Sequence, residues 1–310
     1  MQNFNSNDLK FTYSPLHNAI GEVNSGELFT VETEDCFTGK FRDSENFSSE
    51  TLAWVLENLD GVTGPIAVTG AKVGDVVAIT LHEIEITTPG SVALSPCDDP
   101  SPGDWWSQWY GCKSFQIKNG FLHFSEEIKI PVSPLIGCIA TSPSRETVLS
   151  KMQGPYGGNM DCTEMRAGST ILLPIAVPGA MIYFGDAKAI MGDGEIVQAP
   201  EIGTKITVSV ELRPKPKAMN CPRVESKETL TTVVSDTTLD RAIGKAFAEL
   251  LSWIEDDYDI SRVDAALLLA MIAKTGVCQT ANALHTGKCS VSRIALADLS
   301  SASNTSGEKN

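Results

Sequence analysis

The stretch Ile-Thr-Val-Ser-Val-Glu-Leu at residues 206–212 carries an apolar side chain at every second position. Successive side chains of a β-strand point to opposite faces, so a period of two indicates a strand with one buried face. Val77, Ile79 and Leu81 alternate in the same way. Similar short segments, separated by Gly, Pro, Asn and Asp, fill residues 28–212, and they predict a mainly β body.

Residues 171–177 form an apolar run that Pro174 interrupts. An apolar run without alternation indicates a strand that is covered on both faces. Proline, however, has no N–H to donate to a neighbouring strand. We therefore expect an edge strand or a bulged strand at this position.

Helical periodicity is confined mainly to the C-terminal part of the chain. Apolar residues from Ala242 to Ile254 recur at steps of three and four, which indicates one face of an amphipathic helix. Strands first and helices late predict a mainly β body with an α-containing C-terminal part. We divide the chain into a β-rich segment 1–150, a β segment 151–235, and a helical part 236–310 with a polar tail from about residue 301.

A second helix is predicted soon after the first. Ser261, followed three residues later by Asp264, resembles a capping box. The pattern predicts a helix from Val263 to about Lys274. Gly276 is placed to end it, since glycine is common just beyond a helix C-terminus.

The composition excludes several classes of protein. The 310 residues are 42% hydrophobic, and 24 basic against 39 acidic residues give a formal net charge of -15. Such a charge disfavours binding to nucleic acid or to an anionic membrane, and no apolar run reaches the ~18 residues of a membrane span. The polar N-terminus does not resemble a signal peptide.

The eight cysteines are unevenly spaced and include no CxxC motif. Together with the absence of a signal-peptide pattern, this predicts reduced thiols and a cytoplasmic protein.

Acidic residues stand between glycines from Gly154 to Glu195. Asp186, Asp193 and Glu195 lie within ten residues of one another, and such carboxylates repel unless a cation, a lysine or a shared proton balances them. Two functions fit this pattern: ligation of a metal ion by oxygen atoms, or general acid–base catalysis. The same Gly-Asp and Asp-Gly pairs are equally typical of ordinary β-turns.

This segment also carries a resemblance to a known family. The matching residues are 157–161 (Gly-Gly-Asn-Met-Asp), 168–178, 179–180 (Gly-Ala), 185–186 (Gly-Asp) and 191–195 (Met-Gly-Asp-Gly-Glu). Further similar segments, in the same order, are 25–27 with 32–36, 63–66 with 74–75, 134–137 and 276–279. The pattern resembles the acetamidase/formamidase family over roughly residues 11–298.

The resemblance implies a fold and an activity. The fold is a mainly β, jelly-roll-like sandwich or barrel body with an α+β C-terminal part. The expected activity is metal-assisted hydrolysis of a short-chain linear amide, such as formamide or acetamide, to a carboxylate and ammonia. A divalent metal, zinc or calcium, and a homodimer or higher homo-oligomer are also implied.

Within this expectation we assign candidate roles to particular residues. Glu195, Asp193 and Lys188 are the candidate catalytic residues, with Glu195 moving a proton from water to the leaving nitrogen. Asn159 and Gly158 are candidates for substrate binding. The candidate metal ligands are Asp35, Asp161, Asp186 and His17.

The sequence departs from the family pattern at two places, which leaves alternatives open. Lys188 stands where the family usually has a histidine, and Asp60-Gly61 stands where it tends to have Asn-Pro. One alternative is a catalytically impaired member that binds a small ligand, and another is a hydrolase of a cyclic imide or amide. If Lys188 points into the site, we expect its charge to supply part of what a metal cation would, and metal binding to be weaker.

Other residues offer weaker candidates for function. Cys162 follows Asp161 and is a conceivable nucleophile, although a buried structural cysteine is the ordinary reading. His82 and His123 fall within apolar segments and are interpreted as structural. Trp105, Trp106 and Trp109 form an aromatic group in a loop, for which packing under the loop is the ordinary outcome and a pocket wall or an oligomer interface the alternative.

Overall fold

The computed structural model describes residues 1–94, 111–216, 218–258 and 260–297. Cys97, the predicted tryptophan loop at residues 105–109 and the predicted polar tail from residue 301 lie outside the described residues.

Strands dominate the described part of the chain, as the sequence predicted. In chain order they are β1 (Gln2–Phe4), β2 (Thr12–Tyr13), β3 (Gly21–Val23), β4 (Leu28–Thr33), β5 (Val62–Val68), β6 (Val76–Ile86), β7 (Gly90–Leu94), β8 (Gly111–Lys118), β9 (Phe121–His123), β10 (Lys129–Pro131), β11 (Leu135–Ala140), β12 (Val148–Leu149), β13 (Gln153–Gly154), β14 (Gly157–Asn159), β15 (Thr170–Pro174), β16 (Ile182–Lys188), β17 (Glu201–Ile202), β18 (Thr204–Arg213), β19 (Arg223–Glu225), β20 (Thr229–Asp236), β21 (Lys274–Gln279) and β22 (His285–Ser292). The helices are α1 (Ser49–Glu57), α2 (Leu239–Tyr258) and α3 (Arg262–Ile272), with a short 3₁₀ turn at Ser44–Asn46. The predicted fold class is confirmed.

Two large sheets contain nearly all of these strands. The first has the order β1-β4-β18-β6-β15-β19-β20-β22-β21. The second has the order β10-β9-β8-β7-β17-β16-β11-β14-β13, with β5 also paired to β16 and β3 to β5. The main apolar core joins buried side chains of both sheets, such as Ile79 of β6 and Phe184 of β16. The burial of these faces against each other holds the two sheets together.

Both alternating segments form the strands that the sequence predicted, β6 and β18, and these two strands pair with each other.

The prediction of an edge strand or a bulged strand at residues 171–177 was wrong. Strand β15 pairs with β6 on one side and β19 on the other, so it is an interior strand. Pro174 is its last residue, where the missing N–H removes little of the ladder.

The two C-terminal helices are confirmed, and their apolar faces pack on β20 and β22 in a second core. Ser261 caps α3 by accepting a hydrogen bond from the backbone N–H of Asp264. Gly276 does not end this helix: α3 stops at Ile272, and Gly276 lies within β21.

Helix α1 was not predicted, since it interrupts a region interpreted as strands alone. Ser48 caps its N-terminus by accepting from Thr51 N–H, and Leu52 and Val55 are its buried residues. They pack in a small core with Phe37 and Phe41.

The three segments predicted from the sequence share the two sheets. Strand β11 of segment 1–150 pairs with β14 and β16 of segment 151–235. Strand β20 ends segment 151–235 and pairs with β22 of the C-terminal part. Neither segment boundary therefore coincides with a break in a sheet.

The seven cysteines within the described residues form no disulfide with one another, consistent with the prediction of free thiols. Among the same residues, no helix combines the length and the apolar character that a bilayer crossing requires.

Candidate active site

The candidate site is built around strand β16. Asp186 and Lys188 are two residues apart on this strand, so their side chains lie on the same face. Both are almost completely buried. The Nζ atom of Lys188 lies 2.7 Å from each carboxylate oxygen of Asp186, which makes the pair a buried ion pair.

Three acidic residues of the site have a left-handed backbone. The φ angles are 57° at Asp60, 48° at Asp161 and 53° at Asp186. Such angles are uncommon for residues other than glycine, and strained conformations of this kind concentrate at functional sites. The backbone therefore turns these three carboxyl groups toward one place at a cost in conformational energy.

Gly137 of β11 makes room for two of these carboxylates. A Cβ atom at this position would overlap Oδ2 of Asp186 and Oδ1 of Asp161. The strand backbone can approach the two acids closely only because residue 137 has no side chain.

Further acids surround the Lys188 ammonium. Its Nζ atom lies 3.0 Å from Oδ1 of Asp161, 3.3 Å from Oε1 of Glu201 and 3.9 Å from Oε1 of Glu195. Glu201 lies directly opposite Lys188 in the pairing of β17 with β16. Glu195 belongs to the connection between these strands, and its backbone N–H donates to the carbonyl of Cys278 at 3.0 Å.

These groups line a cavity of about 150 Å³. Its polar wall consists of Asp60, Asn159, Asp161, Asp186, Lys188, Glu195, Gln198, Glu201 and Asn282. Its apolar wall consists of Leu56, Leu59, Ala93, Ile196 and Val197, with Cys36 and Ala281 completing the lining. Two buried oxygens, Oδ1 of Asn159 and Oε2 of Glu201, have no hydrogen-bond partner within the described part of the chain, so they are free to accept from a ligand.

The pKa values reflect five buried carboxyl groups around one ammonium. Burial by itself lowers the pKa of Lys188, but Asp161, Asp186 and the two glutamates raise it well above its ordinary value, so the amine stays charged. Burial raises the pKa of Asp186, yet Lys188 and hydrogen bonds from its neighbours hold it below its ordinary value overall.

The other carboxyl groups shift in the opposite direction. Burial raises the pKa values of Asp60, Asp161 and Glu201 well above their ordinary range, and nearby carboxylates add to each shift. Burial also raises the pKa of Glu195, although Lys188 opposes the effect. The site therefore holds a charged Lys188–Asp186 pair surrounded by carboxyl groups that retain protons easily.

The structure brings together five of the residues singled out from the sequence. Asp161, Asp186, Lys188, Glu195 and Asn159 all line the cavity.

The other four predicted site residues lie outside the cavity lining. Asp193 has a half-exposed side chain, which bonds Lys288 at 2.6 Å. His17 contacts the hydroxyl groups of Tyr183 and Thr12 through its two ring nitrogens.

Gly158 and Asp35 have contacts with the polypeptide backbone outside the cavity. A Cβ at Gly158 would overlap the carbonyl oxygen of Met152, so this glycine allows a close approach of two chain segments. The carboxylate of Asp35 accepts from the N–H groups of Phe37 and Gly39 and pairs with Arg42.

Three cavity residues were missed as site residues: Cys36, Asp60 and Glu201. Cys36 was noted only within a segment similar to the family. The Asp-Gly pair at 60–61 was noted as a departure from the family pattern, and this was a usable signal. Glu201 has no local signal, because only the pairing of β17 with β16 brings it beside Lys188.

The fit of a divalent metal can be tested on these donors. The four predicted metal ligands all have other partners. His17 contacts Tyr183, and Asp35 pairs with Arg42. Asp161 and Asp186 contact the ammonium of Lys188. Among the described residues, Cys36, Asp60 and Asp186 do place ligand atoms within 4.8 Å of one another. However, both oxygens of Asp186 already contact Lys188 Nζ, and like charges repel. The residues present fit a lysine ammonium, and they do not fit an additional divalent ion.

Comparisons with known proteins agree with this architecture. The family model described as the Acetamidase/Formamidase family matches residues 5–153 and 139–229. No curated protein matches the chain in sequence.

Three solved structures are similar over nearly the whole chain, each with a TM-score of 0.88. An acetamidase from Bacillus halodurans shares 26% identity and covers 96% of this chain and 99% of its own. A predicted acetamidase/formamidase from Thermoanaerobacter tengcongensis shares 29% identity over 96% and 97% of the two chains. An acetamidase from Yersinia enterocolitica shares 25% identity over 95% and 92%.

The family match covers well over half of the chain and includes the cavity residues from Cys36 to Glu201. The chain therefore belongs to the acetamidase/formamidase family and is an amidohydrolase that acts on carbon–nitrogen bonds other than peptide bonds.

Proposed function

We propose that this protein hydrolyses a short-chain linear amide, of the size of formamide or acetamide, to a carboxylate and ammonia. The observation that carries the proposal is a small cavity of about 150 Å³, lined by both acid–base groups and aliphatic side chains. Hydrolysis of an amide in general follows from the family; the small linear substrate is the proposed refinement.

The cavity offers complementary partners for a primary amide. The NH₂ group of the substrate has two hydrogens to donate, and the free Oδ1 of Asn159 and Oε2 of Glu201 accept them. The acyl group lies against Leu56, Leu59 and Ile196. The confined volume favours a short acyl chain, because each additional methylene needs space that the side chains already fill.

Glu195 is the proposed general base and acid. Burial raises the pKa of Glu195 although Lys188 opposes the effect, and a raised pKa makes a carboxylate a better proton acceptor. Glu195 removes a proton from the attacking water and delivers it to the amide nitrogen, which leaves only after protonation. Burial raises the pKa of Asp60 well above its ordinary value, which favours the protonated carboxyl group, and in that form Asp60 donates a hydrogen bond to the carbonyl oxygen, where negative charge develops.

Release of ammonia from formamide, acetamide, propionamide and a cyclic imide tests this proposal. We expect turnover to be greatest with the smallest linear amides and to fall as the acyl chain lengthens. Turnover of the cyclic imide alone would assign the site to the cyclic substrates, and no release from any compound would assign it to a binding protein. The homo-oligomer and the cytoplasmic location stay predictions from the sequence.

A further inference from the structure

The ammonium of Lys188 lies among carboxylate oxygens of four acidic residues. A lysine ammonium has three N–H donors, and the oxygens within 3.3 Å of Nζ belong to Asp161, Asp186 and Glu201. An oxygen of Glu195 lies 3.9 Å from Nζ. Only 3% of the lysine side chain is exposed, so water does not replace any of these partners.

One of these carboxylates, that of Asp186, also belongs to a group of side chains that could hold a divalent ion. The best donor set among the described residues, Cys36, Asp60 and Asp186, includes the aspartate that Lys188 contacts with both oxygens. The unpartnered Oδ1 of Asn159, which is 6% exposed, also faces the cavity beside this set. Lys188 Nζ therefore already holds both oxygens of the aspartate that this donor set would offer to a metal.

We infer that the ammonium of Lys188 is the resident cation of this site, and that it holds the place which a divalent metal would otherwise occupy. Two consequences follow from this geometry. The native protein carries no tightly bound divalent ion at the site and keeps its activity in a chelator. Removal of the lysine charge, with the carboxylates left in place, turns the cavity into a metal site.

The experiment measures metal content and binding without any substrate, so its result is independent of the proposed amide hydrolysis. Purified full-length wild type, Lys188→Met and the control Lys288→Met are dialysed against a chelator and then against zinc, calcium or magnesium. Bound metal is measured by inductively coupled plasma mass spectrometry, and affinity by calorimetric titration. Lys288→Met is a matched control, because Lys288 is also a buried lysine that is paired with two acids.

We expect less than ~0.1 equivalent of metal in the wild type and in Lys288→Met, and about one equivalent in Lys188→Met. Asp60→Asn in the Lys188→Met background should weaken the new binding by ~10-fold or more, because it removes a charged ligand. Circular dichroism verifies that each variant is folded.

The wild-type measurement decides the inference even if Lys188→Met fails to fold. One tightly held divalent ion per wild-type chain, lost in Asp60→Asn, would overturn it. A folded Lys188→Met variant that binds no metal would overturn it as well. If ammonia release fails while these metal measurements succeed, the proposed function is wrong and the inference about Lys188 stands.

Discussion

Within the described residues, two lysines are buried in acidic surroundings, Lys188 and Lys288, and they differ in the exposure of their partners. Around Lys188, the side chains of Asp161, Asp186, Glu195 and Glu201 are at most 6% exposed. Lys288 pairs with Glu164 and Asp193, whose side chains are 24% and 57% exposed. Water therefore solvates part of the negative charge at Lys288 but not at Lys188.

The pKa shifts follow this difference in exposure. Near Lys188, burial raises the pKa values of Asp60, Asp161, Glu195 and Glu201. At the other lysine, hydrogen bonds from Lys288 and Thr163 outweigh desolvation and lower the pKa of Asp193. A similar set of residue types thus gives buried acids with raised pKa values around Lys188, and an ion pair with partly exposed acids around Lys288.

The largest expected effect comes from Gly137→Ala. Its Cβ would overlap carboxylate oxygens of Asp161 and Asp186, which cannot move away without breaking the contacts of Lys188. We expect loss of measurable turnover and a decrease of about 1–3 kcal/mol in the free energy of unfolding. Amide hydrolysis and urea denaturation check this.

The matched control is Gly276→Ala, beside Lys288. Here the new Cβ would lie 3.0 Å from Cε of a flexible lysine side chain, which can shift. We expect turnover close to that of the wild type. An equal loss of turnover and stability in both glycine variants would contradict the distinction between the two lysine sites.

Lys188→Met and Lys288→Met compare the two lysines by activity. Without Lys188, the carboxyl groups lose the cation that orders them, and we expect kcat to fall ~10²-fold or more. Lys288 lines no part of the cavity, so its variant should keep kcat within about threefold of wild type. Steady-state kinetics of ammonia release measure both; a larger loss in Lys288→Met would contradict the distinction.

Glu195→Gln tests the acid–base assignment. The amide keeps the shape of the side chain but cannot accept the proton of water, so turnover should fall by roughly 10²-fold or more. Glu164→Gln, beside the other lysine, serves as the control and should have little effect on turnover. Unchanged turnover in Glu195→Gln would remove this residue from the mechanism.

The smallest effect is expected for Asp193→Asn and depends on pH. Because the folded-state pKa of Asp193 lies below its ordinary value of 3.8, its contribution to stability is present above that pH. The contribution is lost as the pH falls through the folded-state pKa. The side chain of Asp193 is more than half exposed, so its ion pair contributes little. We expect the free energy of unfolding of Asp193→Asn to differ from that of the wild type by less than about 1 kcal/mol at pH 7, and by less than that at pH 3. Urea denaturation at both pH values measures it, and a difference that grows toward pH 3 would contradict the assignment.

The sequence by itself determined the strands and helices with strong periodicity. Residues 206–212 and 77–81 formed strands, and the region 242–254 formed a helix, because local alternation specifies which face is buried. The Gly-Asp segments likewise placed Asp186 and Glu195 among the candidates, since their spacing is local, and the resemblance to the family added Asp161 and Lys188.

The tertiary structure decided what these residues do together. Glu201 reaches Lys188 only through strand pairing, and Asp60 lines the same cavity only through the turn before β5; no local pattern encodes either. The interior position of β15 likewise depends on its two neighbours in the sheet. Asp193 and Glu195 are only two residues apart in the sequence, yet they belong to different sites. Asp193 pairs with Lys288, and Glu195 lies near Lys188. Burial, the quantity that sets the charges of this site, arises from packing across the whole chain and is not a property of any single segment.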